Sequence, residues 1–305
     1  MLPADVLVFS LFLALGLAVQ RKAYPADGLR RRAWAVYFWT VTPVLVFTAF
    51  LTVPFDRDIA LALAASIAAA WLVIAVGYAY AALVSAERDE RGALALAAGF
   101  PNTGFLGYPL AQIAFGSPGL ALMVVYDRLS WLVPASAIST TIARLHGRAA
   151  AAAERASPLR AIVANPPLWA ALVAIGLRAA GAGTPEAVVA LRDAAGAVVG
   201  PAGFFLLGLA LPLERPSHGG AELRRAAGAL VVRFAVAPLV LFSVGHALGA
   251  DIPGVFYLAA AMPCAFHLLI LARVFDLRPH LMRLLVVGST VPAVAAVLAA
   301  TAVFH

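Results

Sequence analysis

Four ionisable side chains fall inside long apolar runs: Asp127, Arg128, Arg233 and His267. A charged group at the middle of a membrane helix costs about 2.5 to 3.5 kcal/mol on insertion scales, so such groups default to function. Asp127 and Arg128 are neighbours that point in different directions on a helix, which predicts partners elsewhere for both. Either arginine could attract an anionic substrate, with Asp127 pairing the arginine when the site is empty. Their long side chains equally suit interface anchors or structural ion pairs. His267 lies one turn beyond Pro263; it donates and accepts, and titrates near physiological pH. That suits a packed histidine, a substrate contact or a proton-coupling group.

Two uncharged polar residues join this set. Asn102 and Thr103 sit in the stretch Gly99-Phe-Pro-Asn-Thr-Gly-Phe-Leu-Gly-Tyr-Pro109, which carries two prolines and three glycines inside an apolar run. Pro101 removes a backbone donor and clashes with the carbonyl four residues back, and the glycines make unwinding cheap. Freed backbone groups in hydrocarbon are tolerated only when buried in protein or lining a wet cavity, so the break predicts a cavity. There the amide and hydroxyl would cap the second half-helix and face a ligand, as discontinuous helices do in secondary transporters. A structural kink with satisfied polar groups is the plainer alternative.

The elements that must position these residues are membrane helices. The 305 residues are 63% hydrophobic and 12% charged, with mean hydropathy +0.94, which defines an all-α integral membrane protein resident in the lipid bilayer. At roughly 20 apolar residues per span, ten helices are predicted: 3–20, 34–54, 59–85, 92–115, 119–144, 166–182, 186–212, 222–249, 254–275 and 280–303. The first charge is Asp5, and the positives follow the first run at Arg21 and Lys22, so that run reads as a retained helix and not a signal peptide.

Charge distribution tests the count. Seventeen basic residues follow odd-numbered helices: Arg21, Lys22 and Arg30 to Arg32; Arg88 and Arg91; Arg144, Arg148, Arg155 and Arg160; Arg215, Arg224 and Arg225; and Arg273, Arg278 and Arg283. The opposite side holds Arg57, Arg178 and Arg192. The positive-inside rule places the odd-numbered exits in the cytoplasm and both termini outside a cell (plasma) membrane. The same rule accounts for the high pI, and no nucleic-acid partner is implied.

The halves echo each other weakly. Phe100-Pro101-Asn102-Thr103 in helix 4 matches Met262-Pro263-Cys264-Ala265 in helix 9, and Val133-Pro134 matches Val291-Pro292, at offsets of 162 and 158 residues. Near-equal offsets suggest two five-helix repeats, residues 1–145 and 161–305, joined by a cytoplasmic linker at 146–160. An odd helix number inverts the second repeat, whose interface with the first is where secondary transporters bind substrate. Asn165-Pro166-Pro167 reads as a capped start of helix 6. Helices 3 and 7, rich in Ala and Gly, suit close packing.

On these residues the chain resembles the auxin efflux carrier family, which includes plant auxin exporters and bacterial malonate and malate carriers. The resemblance rests on Pro101 to Pro109, Asp127, Asn165-Pro166, Gly208, Met262-Pro263 and Ala272. It implies ten helices in two inverted repeats, helices 4 and 9 broken and crossing at their prolines, and a homodimer formed through the scaffold. It further implies a scaffold of helices 1, 2, 6 and 7 beside a moving domain of helices 3 to 5 and 8 to 10. The chain departs from the family where His267 replaces a small amide and where Arg128 follows Asp127, so no substrate is carried over.

Other classes lack their residues. An intramembrane serine protease needs a glycine-flanked serine, and Ser289 follows Gly288 without the second glycine. Asp127 has no second carboxylate to form an aspartyl pair, and no His/Cys spacing holds a metal; neither cofactor nor metal is expected. A sodium-coupled symporter of the bile-acid type is the nearer rival, but it needs a cation cage that Asp127, Asn102 and Thr103 scarcely build. The expectation is a non-enzymatic carrier of a small organic anion using elevator-type alternating access. Pro101, Asn102, Thr103, Pro263, Cys264 and His267 form its crossover site, and Asp127, Arg128 and Arg233 are charge or coupling candidates. Half-helix amino ends meeting at the two breaks favour a carboxylate.

Overall fold

A computed structural model describes residues 4–22, 27–149, 164–211 and 219–304. The predicted linker at 146–160 lies outside the described residues from 150 onward, as do Arg155, Arg160 and Arg215. Among the described residues the chain is all-helical and has no strand, only one isolated backbone bridge.

The chain opens with α1 (Ala4–Lys22), then α2 (Asp27–Val36), a π turn at Tyr37–Val41 and α3 (Thr42–Thr52). Next come α4 (Arg57–Val84) and α5 (Arg88–Gly99), which stops at the break; a π turn (Thr103–Gly107) leads into α6 (Tyr108–Val133). Another π turn at Pro134–Ile138 carries α6 into α7 (Ser139–His146). The second half holds α8 (Pro166–Ala179), α9 (Glu186–Ala210), α10 (Gly220–Val231), a π turn at Val232–Val236 and α11 (Ala237–Ala247). It ends with α12 (Gly254–Ala260), α13 (His267–Val274) and α14 (Pro279–Phe304). Among the described residues six helices are long and apolar enough to cross a membrane; α1 and α8 supply shorter apolar segments.

Local chemistry sets the boundaries. Asp56 accepts from the Ile59 amide at 2.9 Å and starts α4, and Asn165 accepts from the Leu168 amide at 3.2 Å ahead of Pro166 and Pro167. The second run begins at Asp27, earlier than the expected residue 34, because the basic turn at Arg30 to Arg32 is helical despite its polarity. At Gly116, φ is +65°, and the chain turns there between the spans expected at 92–115 and 119–144. Only glycine adopts that conformation cheaply.

Three π turns share one cause. Tyr37–Val41, Thr103–Gly107 and Val232–Val236 each precede an X-Pro pair, at Pro43, Pro109 and Pro238. A proline ring inside a helix crowds the carbonyl four residues back, and one wider turn makes room for it.

The long helices pack through glycine. A Cβ on Gly16 would lie 2.2 Å from the Phe205 carbonyl oxygen, and one on Gly208 would lie 2.4 Å from that of Leu13, so α1 and α9 touch backbone to backbone. A Cβ on Gly203 would meet Pro109 Cγ at 2.3 Å, bringing α9 equally close to the start of α6. Leu83, Leu11, Trp169 and Val173 lie on the exposed apolar surface that lipid would cover.

At one end of the bundle, the first turn of α5 buries Asp89 and Glu90. Asp89 pairs with Arg148 at 2.8 Å, Glu90 with Arg225 at 2.8 Å, and Arg278 reaches Glu87 and Asp89. The acids sit at a helix amino end, where the macrodipole also favours them. This network ties α5 to α7, α10 and the α13–α14 turn.

Candidate functional site

The two broken segments meet at their prolines. Pro101 and Cys264 form an antiparallel bridge, the Asn102 amide donates to the Pro263 carbonyl at 2.7 Å, and the Ala265 amide donates to the Phe100 carbonyl at 3.0 Å. Each break thereby supplies partners for backbone groups that the other has freed, as hydrocarbon requires. The Cys264 amide donates to Ser289 Oγ at 3.1 Å, and its thiol donates to the Ala97 carbonyl at 3.3 Å. Ser289 is thus a structural partner of the break.

Arg233 closes the crossing from behind. It is 1% exposed; Nη1 donates to the carbonyls of Gly99 (3.0 Å) and Ala98 (3.3 Å), and Nη2 to that of Ala260 (2.7 Å). One guanidinium therefore caps the carboxyl ends of α5 and α12, where unpaired carbonyls concentrate partial negative charge. Of the roles considered for Arg233 (interface anchor, structural partner or attraction for an anion), these contacts are structural: Nη1 and Nη2 are committed to backbone.

Neighbours on a helix point apart, yet Arg128 folds back so that Nη2 lies 2.5 Å from Asp127 Oδ2, the pairing considered for an empty site. The long guanidinium stem spans the angle that separates neighbours on a helix. Tyr108 completes the knot, donating to Asp127 Oδ2 at 2.7 Å and accepting from Arg128 Nη2 at 3.1 Å and Nε at 3.3 Å. The Thr103 hydroxyl donates to Asp127 Oδ1. Asn102 Oδ1 accepts from the Phe105 amide at 3.3 Å and caps the second half-helix.

A cavity of about 300 Å³ opens beside this knot. Pro101, Asn102, Thr103, Asp127, Arg128 and His267 line it, and Pro263, Cys264 and Arg233 stand outside its wall. The remaining lining includes Tyr37, Phe38 and Thr42 from the α2–α3 run, Phe100 and Phe105 from the break, and Trp131 and Ser136. Asn102 Nδ2, His267 Nε2 and the Tyr37 hydroxyl are buried with no partner among the described residues. The Phe100 ring holds His267 edge-on with centroids 6.4 Å apart. Among the described residues no cluster could hold a metal ion.

Sequence reasoning missed Tyr37, Tyr108 and Trp131. Tyr108 lay inside the quoted motif, five residues after Thr103, and a tyrosine amid apolar residues signals a hydroxyl needing a partner. Tyr37 and Trp131 carry the same kind of signal, a polar-tipped ring in an apolar run, but outside any motif.

A multi-pass helical protein with two broken helices meeting at a polar cavity belongs to the class of membrane transporters. The pattern of the family described as "Membrane transport protein" matches residues 6–300. The chain therefore belongs to this family, that of the auxin efflux carriers. It is also similar to a protein of Methanothermobacter thermautotrophicus described as an uncharacterized transporter, 29% identical over 219 residues, which is 71% of this chain and 69% of that protein.

Proposed function

We propose that the chain carries a small organic anion, bound through a carboxylate, across the plasma membrane by elevator-type alternating access. The carrying observation is that Asn102 Nδ2 and His267 Nε2, buried and unpartnered, line the same cavity as the guanidinium of Arg128. Buried donors without acceptors are unfavourable until a ligand supplies one. Lone polar groups of Asn102, His267, Tyr37 and Trp131 beside a cation suit a carboxylate better than a cation or a neutral sugar.

In this reading ten spans form two inverted repeats, 1–145 and 161–305, with the crossing at their shared centre. The bias of basic residues toward the odd-numbered exits supports both termini outside. The α1, α2–α3, α8 and α9 segments form a scaffold, and the crossing slides past it with its ligand. The approach of Gly203 to Pro109 supplies a smooth contact along which α6 could move.

Thermal unfolding of the purified protein against malonate, malate and an aromatic carboxylate tests this, since a ligand that binds only the folded state raises the unfolding temperature. A carboxylate-specific rise that Asn102→Ala reduces is expected. A rise with sodium alone would favour the symporter and refute the anion reading.

A further inference from the structure

We propose that Asp127 is an internal stand-in for the transported anion, and that each carboxylate bound at Arg128 is accompanied by one proton taken up on Asp127. The inference rests on the reading of the cavity as an anion site and adds the coupling ion.

The geometry argues for it in three ways. First, the cavity holds one cation and one carboxylate, already paired at 2.5 Å, so the empty site is electrically balanced. An incoming anion would leave one uncompensated negative charge inside the bilayer, the arrangement that membranes penalise. Secondly, the position that a substrate oxygen would occupy on Arg128 Nη2 is the one that Asp127 Oδ2 occupies now. Thirdly, the other partners of Asp127 are hydroxyls, Thr103 on Oδ1 and Tyr108 on Oδ2. Hydroxyls both donate and accept, so they serve a carboxyl group as well as a carboxylate; a second arginine or a backbone amide could not.

The step balances. A proton from solvent adds to Asp127 Oδ2, the Arg128–Asp127 ion pair is exchanged for Arg128–substrate, and the new carboxyl proton is donated to the Tyr108 oxygen as the Tyr108 hydroxyl turns to the substrate carboxylate. The net charge of the loaded site equals that of the empty one. Arg128 and Tyr126 on its own helix, Tyr108 just after the break and His267 on α13 lie within electrostatic reach of Asp127, and Tyr37 faces Arg128 from the α2–α3 run. Of these, His267 is the competing proton acceptor.

Calorimetric titration of the wild-type protein with the monocarboxylates propionate and benzoate, in two buffers of different ionisation enthalpy and at a pH where both probes are fully ionised, counts the protons. Uptake of about one proton per anion is expected, with affinity falling about tenfold per pH unit as pH rises. Asp127→Asn should bind the anion with no uptake and a flat pH profile, and His267→Gln should keep the uptake. Binding without uptake by the wild type, or uptake retained in Asp127→Asn but lost in His267→Gln, overturns the coupling role and leaves the anion reading standing. No binding of either probe, alongside a sodium response, overturns both.

Discussion

Arg233 Nη1 lies 3.0 Å from the Gly99 carbonyl, while the same guanidinium holds the Ala260 carbonyl at 2.7 Å. One side chain thus fixes where both broken helices stop. Arg233→Met would leave the carbonyls of Ala98, Gly99 and Ala260 without this donor, and a loss of about 3 kcal/mol or more is expected. Arg233→Lys should recover only part, because an ammonium cannot fork between two helix ends. Unfolding in detergent measures both.

The cavity donors should respond differently from the clamp. His267→Ala removes an unpartnered cavity atom, whereas Asn102→Ala also removes the cap on the Phe105 amide and should cost about 1 kcal/mol of stability. Carboxylate affinity should fall roughly 5- to 10-fold for each, the equivalent of about 1 kcal/mol per hydrogen bond. Ligand-induced thermal shifts across a concentration series give the ratio.

Glycines in the α1–α9 contact should tolerate nothing larger. Gly208→Ala drives a methyl into the Leu13 carbonyl oxygen, and a loss of about 1 to 3 kcal/mol is expected. Gly176→Ala, with nothing within 4 Å, should be neutral or slightly stabilising. Comparing their unfolding temperatures checks the packing.

His146 provides a pH test away from the apolar spans. Its Nδ1 lies 2.9 Å from the Arg88 carbonyl and its Nε2 lies 3.1 Å from the Tyr78 hydroxyl, an arrangement that fits a neutral ring donating from Nδ1. Burial holds this histidine below its ordinary 6.5, and Arg91 and Arg88 nearby act in the same direction. The unfolded chain therefore takes up the proton first as pH drops below 6.5, so stability is full above that value and declines beneath it. His146→Gln should flatten that part of the curve of unfolding temperature against pH.

Much of the crossing was legible because proline acts locally. Pro101 and Pro263 each forbid a continuous helix whatever surrounds them, and Asn102 is a preferred cap wherever a helix restarts. Arg233 was not legible in the same way, since its meaning depends on carbonyls 135 and 27 residues away. The Asp127–Arg128 pairing was one of the readings the sequence left open, because helix geometry points neighbours apart while the length of arginine lets its head group turn back. Gly116 was visible as a boundary between two apolar runs, but its positive φ belongs to the tertiary turn.

The most direct test of the central claim is solute counterflow in proteoliposomes loaded with unlabelled malate or malonate and given the labelled acid outside. Transient accumulation of label in wild-type vesicles, strongly reduced in the Asn102→Ala, His267→Ala double variant, is the predicted result. Accumulation that the double variant matches, or exchange of sodium-coupled solutes with no carboxylate exchanged, would contradict the account.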